Sequence, residues 1–169
     1  TQDQAHQVRH RLGQWLAPRG LRFNEDKTRI VHLDQGFDFL GFNVRRYGTG
    51  GKLLIKPSPA AVSRIRQRLA TEVRSLHGSN AEAVIHRLAP IIRGWAAYYR
   101  SVVSKEVFYQ VDHHLWRLLY QWARRAHPNK SRHWIVNRYF DALRAAALLR
   151  VLVFHLFGWF WLPLVFPSL

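Results

Sequence analysis

Cysteine is absent from all 169 residues, which excludes disulfides, thiolate zinc sites and a cysteine nucleophile. A reducing cytoplasm is the setting this suits. Methionine is absent too, position 1 included, and the opening Thr-Gln-Asp-Gln-Ala-His-Gln is no secretory signal, so the expectation is a fragment of something longer. Acidic residues are scarce. Ten Asp or Glu face 26 Lys or Arg, a formal charge of +16, which calls for a polyanionic partner, nucleic acid before an anionic membrane. Lysine is scarce as well, at five residues, so 21 of the cations are arginine, whose planar fork suits phosphates and whose flat face suits bases. A GC-rich genome that favours arginine codons would leave the same bias.

The familiar catalytic patterns are also missing. No Ser/His/Asp order stands out, and the glycines at 48, 50 and 51 lack the Lys-Ser/Thr of a phosphate-binding loop. Asp34 and Asp38, with Glu25 and Asp26 nearby, can be drawn as a metal-binding carboxylate group, but their placement in turns favours capping or solvated roles. Ten histidines, among them His113, His114, His127 and His133, raise zinc. Without cysteines or an HExxH spacing, that reading has little support.

What is present is organised around residues 91–100, Ile-Ile-Arg-Gly-Trp-Ala-Ala-Tyr-Tyr-Arg. Helical spacing over 82–100 gathers Val84, Leu88, Ile91, Ile92, Trp95, Tyr98 and Tyr99 on one face, with Trp95 at its middle. His86, Arg93 and Arg100 fall opposite, free to hold an anion. Gly94 costs a helix roughly 1 kcal/mol against Ala, which suggests the close approach of a backbone or a phosphate. Pro90 should kink or restart the helix.

Ahead of this stretch, residues 5–17 carry Val8, Leu12, Trp15 and Leu16 at helical spacing, stopped by Pro18-Arg19-Gly20. Residues 21–23 and 28–33 read as short β segments around a polar turn. Residues 37–44 read as one strand in which Gly41 marks a close backbone approach or a bulge, and 52–56 return as its hairpin partner. Character changes at Lys56-Pro57-Ser58-Pro59, with Ser58 as N-cap and Pro59 at the first helical position. Val62, Ile65, Leu69, Val73 and Leu76 then form a stripe, with Arg64, Arg66, Arg68 and Arg74 off it. Gly78 ends that helix, and Ser79-Asn80-Ala81-Glu82 is a capping box for the next. A further helix over 105–125 should bury Phe108, Val111, Leu115, Leu118 and Trp122, leaving Arg117, Gln121 and Arg124 outside. Residues 124–133 read as a basic loop, and 134–140 as a short helix.

Seven aromatics, Trp95, Tyr98, Tyr99, Trp116, Tyr120, Trp122 and Trp134, are candidates for stacking on bases, although most at helical spacing should be core. Residues 151–169 hold no Asp, Glu, Lys or Arg. Their length admits a transmembrane helix flanked by Arg144 and Arg150; Pro163 and Pro167 argue against one, and a non-native ending is the preferred reading.

Two groups of residues together resemble the C-terminal part of a group II intron reverse transcriptase/maturase. Gly20-Leu21-Arg22-Phe23-Asn24-Glu25-Asp26-Lys27-Thr28, followed by Gly36-Phe37-Asp38-Phe39-Leu40-Gly41-Phe42, resembles the last two blocks of its reverse transcriptase domain, the second being the primer grip. Residues 92–100, 122–131 and 134–140 resemble the maturase-specific domain X, or thumb.

The resemblance implies an α+β fold: a small β-hairpin palm remnant at 1–56 and a mostly helical thumb/domain X bundle at 57–150; the apolar tail at 151–169 departs from the family pattern, replacing what usually follows Tyr139-Phe140. The resemblance also implies that Phe39, Leu40 and Gly41 position a primer strand. Lys27 would lie near nucleic acid, and Arg93, Arg100, Arg117, Arg124, Arg125, Lys130 and Arg132 would hold group II intron RNA in splicing and retrohoming, with a DNA target or primer as a further partner. The block of catalytic carboxylates should precede residue 1, so the chain is expected to be inactive alone as an RNA-directed DNA polymerase. Mg2+ belongs to the full-length enzyme, and no cofactor to this chain. The endonuclease domain of some members is absent. Two other classes stay open: a small basic membrane-associated protein anchored by 151–169, and a non-specific nucleic-acid-binding structural protein.

Overall fold

The computed structural model describes residues 1–48 and 50–140. Helix α1 (Gln2–Leu16) is followed by a 3-10 turn (Ala17–Arg19), then strands β1 (Phe37–Phe39), β2 (Phe42–Tyr47) and β3 (Lys52–Pro57). Helices α2 (Pro59–Ser75), α3 (Ala81–Tyr99), α4 (Lys105–Ala126) and the single turn α5 (Arg132–Ile135) complete the chain, with a π-helical turn at Val136–Phe140. The strands form one antiparallel sheet in the order β1-β2-β3, so the architecture is α+β.

The chain divides into two compact units, one of Thr1–Phe37 with Val44–Leu53 and one of Asp38–Asn43 with the residues from Leu54 onward. In the first, no described residue is buried, and Val8, Leu12 and Trp15 of α1 stand about half exposed. Local bonds shape it instead. Arg19 lies 3.8 Å over the Trp15 ring while donating to the Trp15 carbonyl, Arg9 pairs with Glu25, and Arg45 Nε donates to the Asp34 carbonyl at 2.9 Å. Residues 21–23 and 28–33 are not the strands their composition suggests. The turn between them closes, with Thr28 N–H donating to Asn24 C=O at 2.9 Å, and Arg46 N–H reaches Leu33 C=O, but no ladder forms. β-propensity is realised only against a paired neighbour.

The second unit holds the core. Leu69, Val84, Leu88, Ile92, Phe108, Leu115, Leu119, Ile135 and Phe140 are its largest fully buried side chains. Ser58 caps α2 by accepting from Ala61 N–H at 3.2 Å, with Pro59 beginning the helix where a missing N–H is harmless. α2 packs most extensively on α4, and Trp122 Nε1 donates to Leu76 C=O at 2.9 Å, satisfying a carbonyl at the end of α2.

Several local expectations shift by a residue or a face. Asn80, not Ser79, caps α3, accepting from Ala83 N–H at 2.8 Å. α3 continues unbroken through Pro90, because tertiary packing on both sides outweighs one lost bond. Its buried line is Val84, Leu88, Ala89, Ile92, Ala96 and Tyr99; Trp95 is only half-buried and Tyr98 is exposed. On α4 the line passes through Leu119, and Leu118 is peripheral. Nothing outside its own turn lies within 4 Å of where a β-carbon on Gly94 would stand, so no backbone explains that glycine. Residues 124–133 are not one loop: Arg124 and Arg125 form the last turn of α4, and Arg132 and His133 lie in α5. His127 between them packs, with Nε2 at 2.7 Å from the Tyr139 hydroxyl and its ring edge-on to Trp134.

Residues 151–169, with the tail assigned to them, and 141–150 of the helical region lie outside the described residues. Among the described residues, no helix is long and apolar enough to cross a membrane.

Candidate nucleic-acid interface

Phe39-Leu40-Gly41-Phe42 is not the interior of one strand, as its composition suggests, but the tight turn between β1 and β2. Both central residues have positive φ, 50° at Leu40 and 84° at Gly41, a conformation that joins twisted antiparallel strands and is natural for Gly. For Leu40 it costs about 1 to 2 kcal/mol. Three donors hold the turn against that strain. Tyr98 Oη donates to Leu40 C=O at 2.8 Å, Tyr99 Oη to Gly41 C=O at 3.2 Å, and Ser58 N–H to Gly41 C=O at 2.8 Å. Phe42 completes the attachment, stacked on Tyr98 with centroids 5.0 Å apart and edge-on to Tyr99 at 5.1 Å. Burial, and next Tyr98, push the Tyr99 hydroxyl above the usual phenol range, with Arg64 pulling the other way, so it stays a proton donor.

The result is a rigid turn whose two apolar side chains point away from the core: Phe39 is 62% and Leu40 70% exposed. Helical spacing puts Tyr98 and Tyr99 in the packing stripe and does not reveal their grip on the turn. Two adjacent tyrosines and a glycine that must have no side chain were the available signals.

The expected basic residues are all exposed. Arg93 and Arg100 share one side of α3, seven residues apart. Arg124 and Arg125 line an open cleft of about 370 Å³ with Gln121 and Pro128, and Arg125 meets His77 Nε2 at 2.8 Å. Lys130 stands 5.4 Å over the Trp134 ring, and Arg132 lies 5.9 Å from both the Trp116 and Tyr120 rings, within cation–π range. Arg117 is on α4 close enough to act on His114, whose imidazole is held below its ordinary range first by burial, against a hydrogen bond at the Arg66 backbone, and further by Arg66, Arg117 and His113. Lys27 belongs to the other unit, in the turn closed by Asn24. Between residues 54 and 140, fifteen Lys or Arg face four Asp or Glu. Among the described residues there, Arg87 is the one arginine paired with a carboxylate, that of Glu72 at 2.8 Å.

The carboxylates that could be drawn as a metal group have local work. Asp38 accepts from Asn43 Nδ2 at 2.7 Å, and Asp34 Oδ2 lies 3.2 Å from His32 Nδ1. Among the described residues, no group of three His, Asp or Glu side chains is placed to hold a metal ion.

Residues 62–140 match the family described as group II intron, maturase-specific domain. The helical part of this chain is a maturase-specific domain. It runs from the first turn of α2 to the π-helical turn at Phe140 and contains nearly the whole core of the second unit. No curated protein matches the chain. The maturase-specific domain ties the chain to group II intron splicing and supplies Tyr98 and Tyr99, which grip a turn outside the matched span.

Proposed function

We propose that this chain binds group II intron RNA during splicing and retrohoming through the arginine-rich surface of its maturase-specific domain. The carrying observation is the charge imbalance over residues 54–140: fifteen cations face four acids, and all but one of the described arginines there lack a carboxylate partner. Arginines without a carboxylate partner on a well-packed scaffold are available to phosphates. The likeness of residues 20–42 to the last reverse transcriptase blocks supports a second contact, in which Phe39, Leu40 and Gly41 meet a primer or DNA strand and Lys27 a phosphate.

Binding of intron RNA measured from 50 to 200 mM salt tests this. A surface making about 6 phosphate contacts loses roughly a thousandfold in affinity over that range. Equal affinity for duplex DNA and intron RNA would instead favour a non-specific structural protein.

A further inference from the structure

Of the seven aromatics that composition offers for base stacking, the fold removes most. Trp122 and Tyr99 are buried, Tyr98 holds the β1–β2 turn, Trp95 packs on Tyr99 and Phe108, and Trp134 is engaged by His127 and Lys130. Trp116 and Tyr120 remain. Four residues apart on α4, they stack with planes 3° from parallel and centroids 5.4 Å apart, and the Phe140 ring packs on Trp116 at 5.3 Å, tilted by 42°. Arg132 lies against both rings, and Arg124 follows Tyr120 by one turn, which sets it next along the same row. Tyr120 is partly exposed, and its hydroxyl has no partner among the described residues.

We propose that Tyr120 takes an unpaired base of the bound RNA as the next member of this aromatic column, with Arg124 and Arg132 on the flanking phosphates. The inference rests on the RNA-binding reading of the domain and adds that single-stranded RNA is what the domain prefers. A base inside a duplex has both faces covered, whereas an unpaired base offers one to a ring. Arginine beside stacked rings matches this chemistry, since its flat cation serves phosphate and π-face together.

The test uses the intact chain with two RNAs of equal length, one unpaired and one fully duplex, across salt. Tyr120→Ala should weaken unpaired RNA by about 5- to 150-fold, with an unchanged salt slope, because stacking releases no counterions. Tyr120→Phe should bind like the parent, and Tyr120→Ala should leave duplex affinity unaltered. Arg132→Ala should lower the slope by about 0.7. Should Tyr120→Ala fail to fold, quenching of 2-aminopurine placed along the unpaired RNA reports stacking by the unaltered chain. Equal losses on both RNAs, or no quenching at any position, would overturn the proposal while leaving RNA binding intact. A chain that binds neither RNA at 50 mM salt would overturn both readings.

Discussion

The hydroxyl oxygen of Tyr99 lies 2.6 Å from where a β-carbon on Gly41 would stand. No real β-carbon tolerates that distance, and the φ of 84° at Gly41 adds strain for any L side chain. Gly41→Ala should therefore destabilise the helical unit by about 1 to 3 kcal/mol. Removing the hydroxyl leaves the tyrosine ring at 3.8 Å and Ala61 at 3.9 Å, both ordinary van der Waals distances. In a Tyr99→Phe background the same substitution should cost less, by about 1 kcal/mol, as a double-mutant cycle in urea would show. Strict additivity would mean that the turn sits elsewhere in solution.

Trp122 and Trp95 should separate cleanly. Trp122 is buried and donates to Leu76, so Trp122→Ala should cost about 3 to 5 kcal/mol. Trp95, half-buried at the edge of the core, should cost less than that, contrary to a position at the centre of the stripe. Denaturant midpoints of the two variants give the order directly.

Gly94→Ala should raise stability by about 0.5 to 1 kcal/mol, since the site is helical, exposed and free of steric neighbours. Weakened RNA binding in this more stable variant would show that a phosphate approaches there. Parent-like binding would leave the glycine without a ligand. Arg93→Ala with Arg100→Ala should be nearly neutral for stability while lowering the salt slope by about 0.7 to 0.9 for each phosphate no longer neutralised.

Burial pushes Asp112 up to about 6, against the pull of His113. An acid raised on folding binds more protons in the native state, so stability from this group is greatest below about pH 4 and falls as pH rises through about 6. The loss is at most about 3 kcal/mol, and nearer 1 given the partial solvent access. His114 has the opposite sign, losing stability as pH falls through the unfolded imidazole value. Asp112→Asn isolates the first effect. Its melting temperature minus that of the parent should grow between pH 4 and pH 6 and then level off, and a flat difference would refute the assignment.

Amide exchange should divide the chain. Residues 2–16 and 44–47, in a unit without a buried described residue, should exchange far faster than residues 84–99 and 108–123. Comparable protection in both would indicate that α1 is covered in solution.

The sequence alone determined what depends on near neighbours along the chain. Helical spacing located α1 to α4, Ser58 and Pro59 marked the start of α2, and Gly41 announced a close approach, because caps, turns and periodicity are set within a few residues. The arginine excess was equally visible and needed no fold. Tertiary structure decided the phase and the pairings. Which side of α3 is buried depends on where α2 and α4 lie, so Trp95 moved to the edge and Tyr98 out of the stripe. Residues 21–23 and 28–33 lacked a ladder partner that no local pattern reveals. Tyr98 and Leu40 are 58 residues apart, as are Tyr99 and Gly41, and only packing could show that two ring hydroxyls were placed to hold one turn.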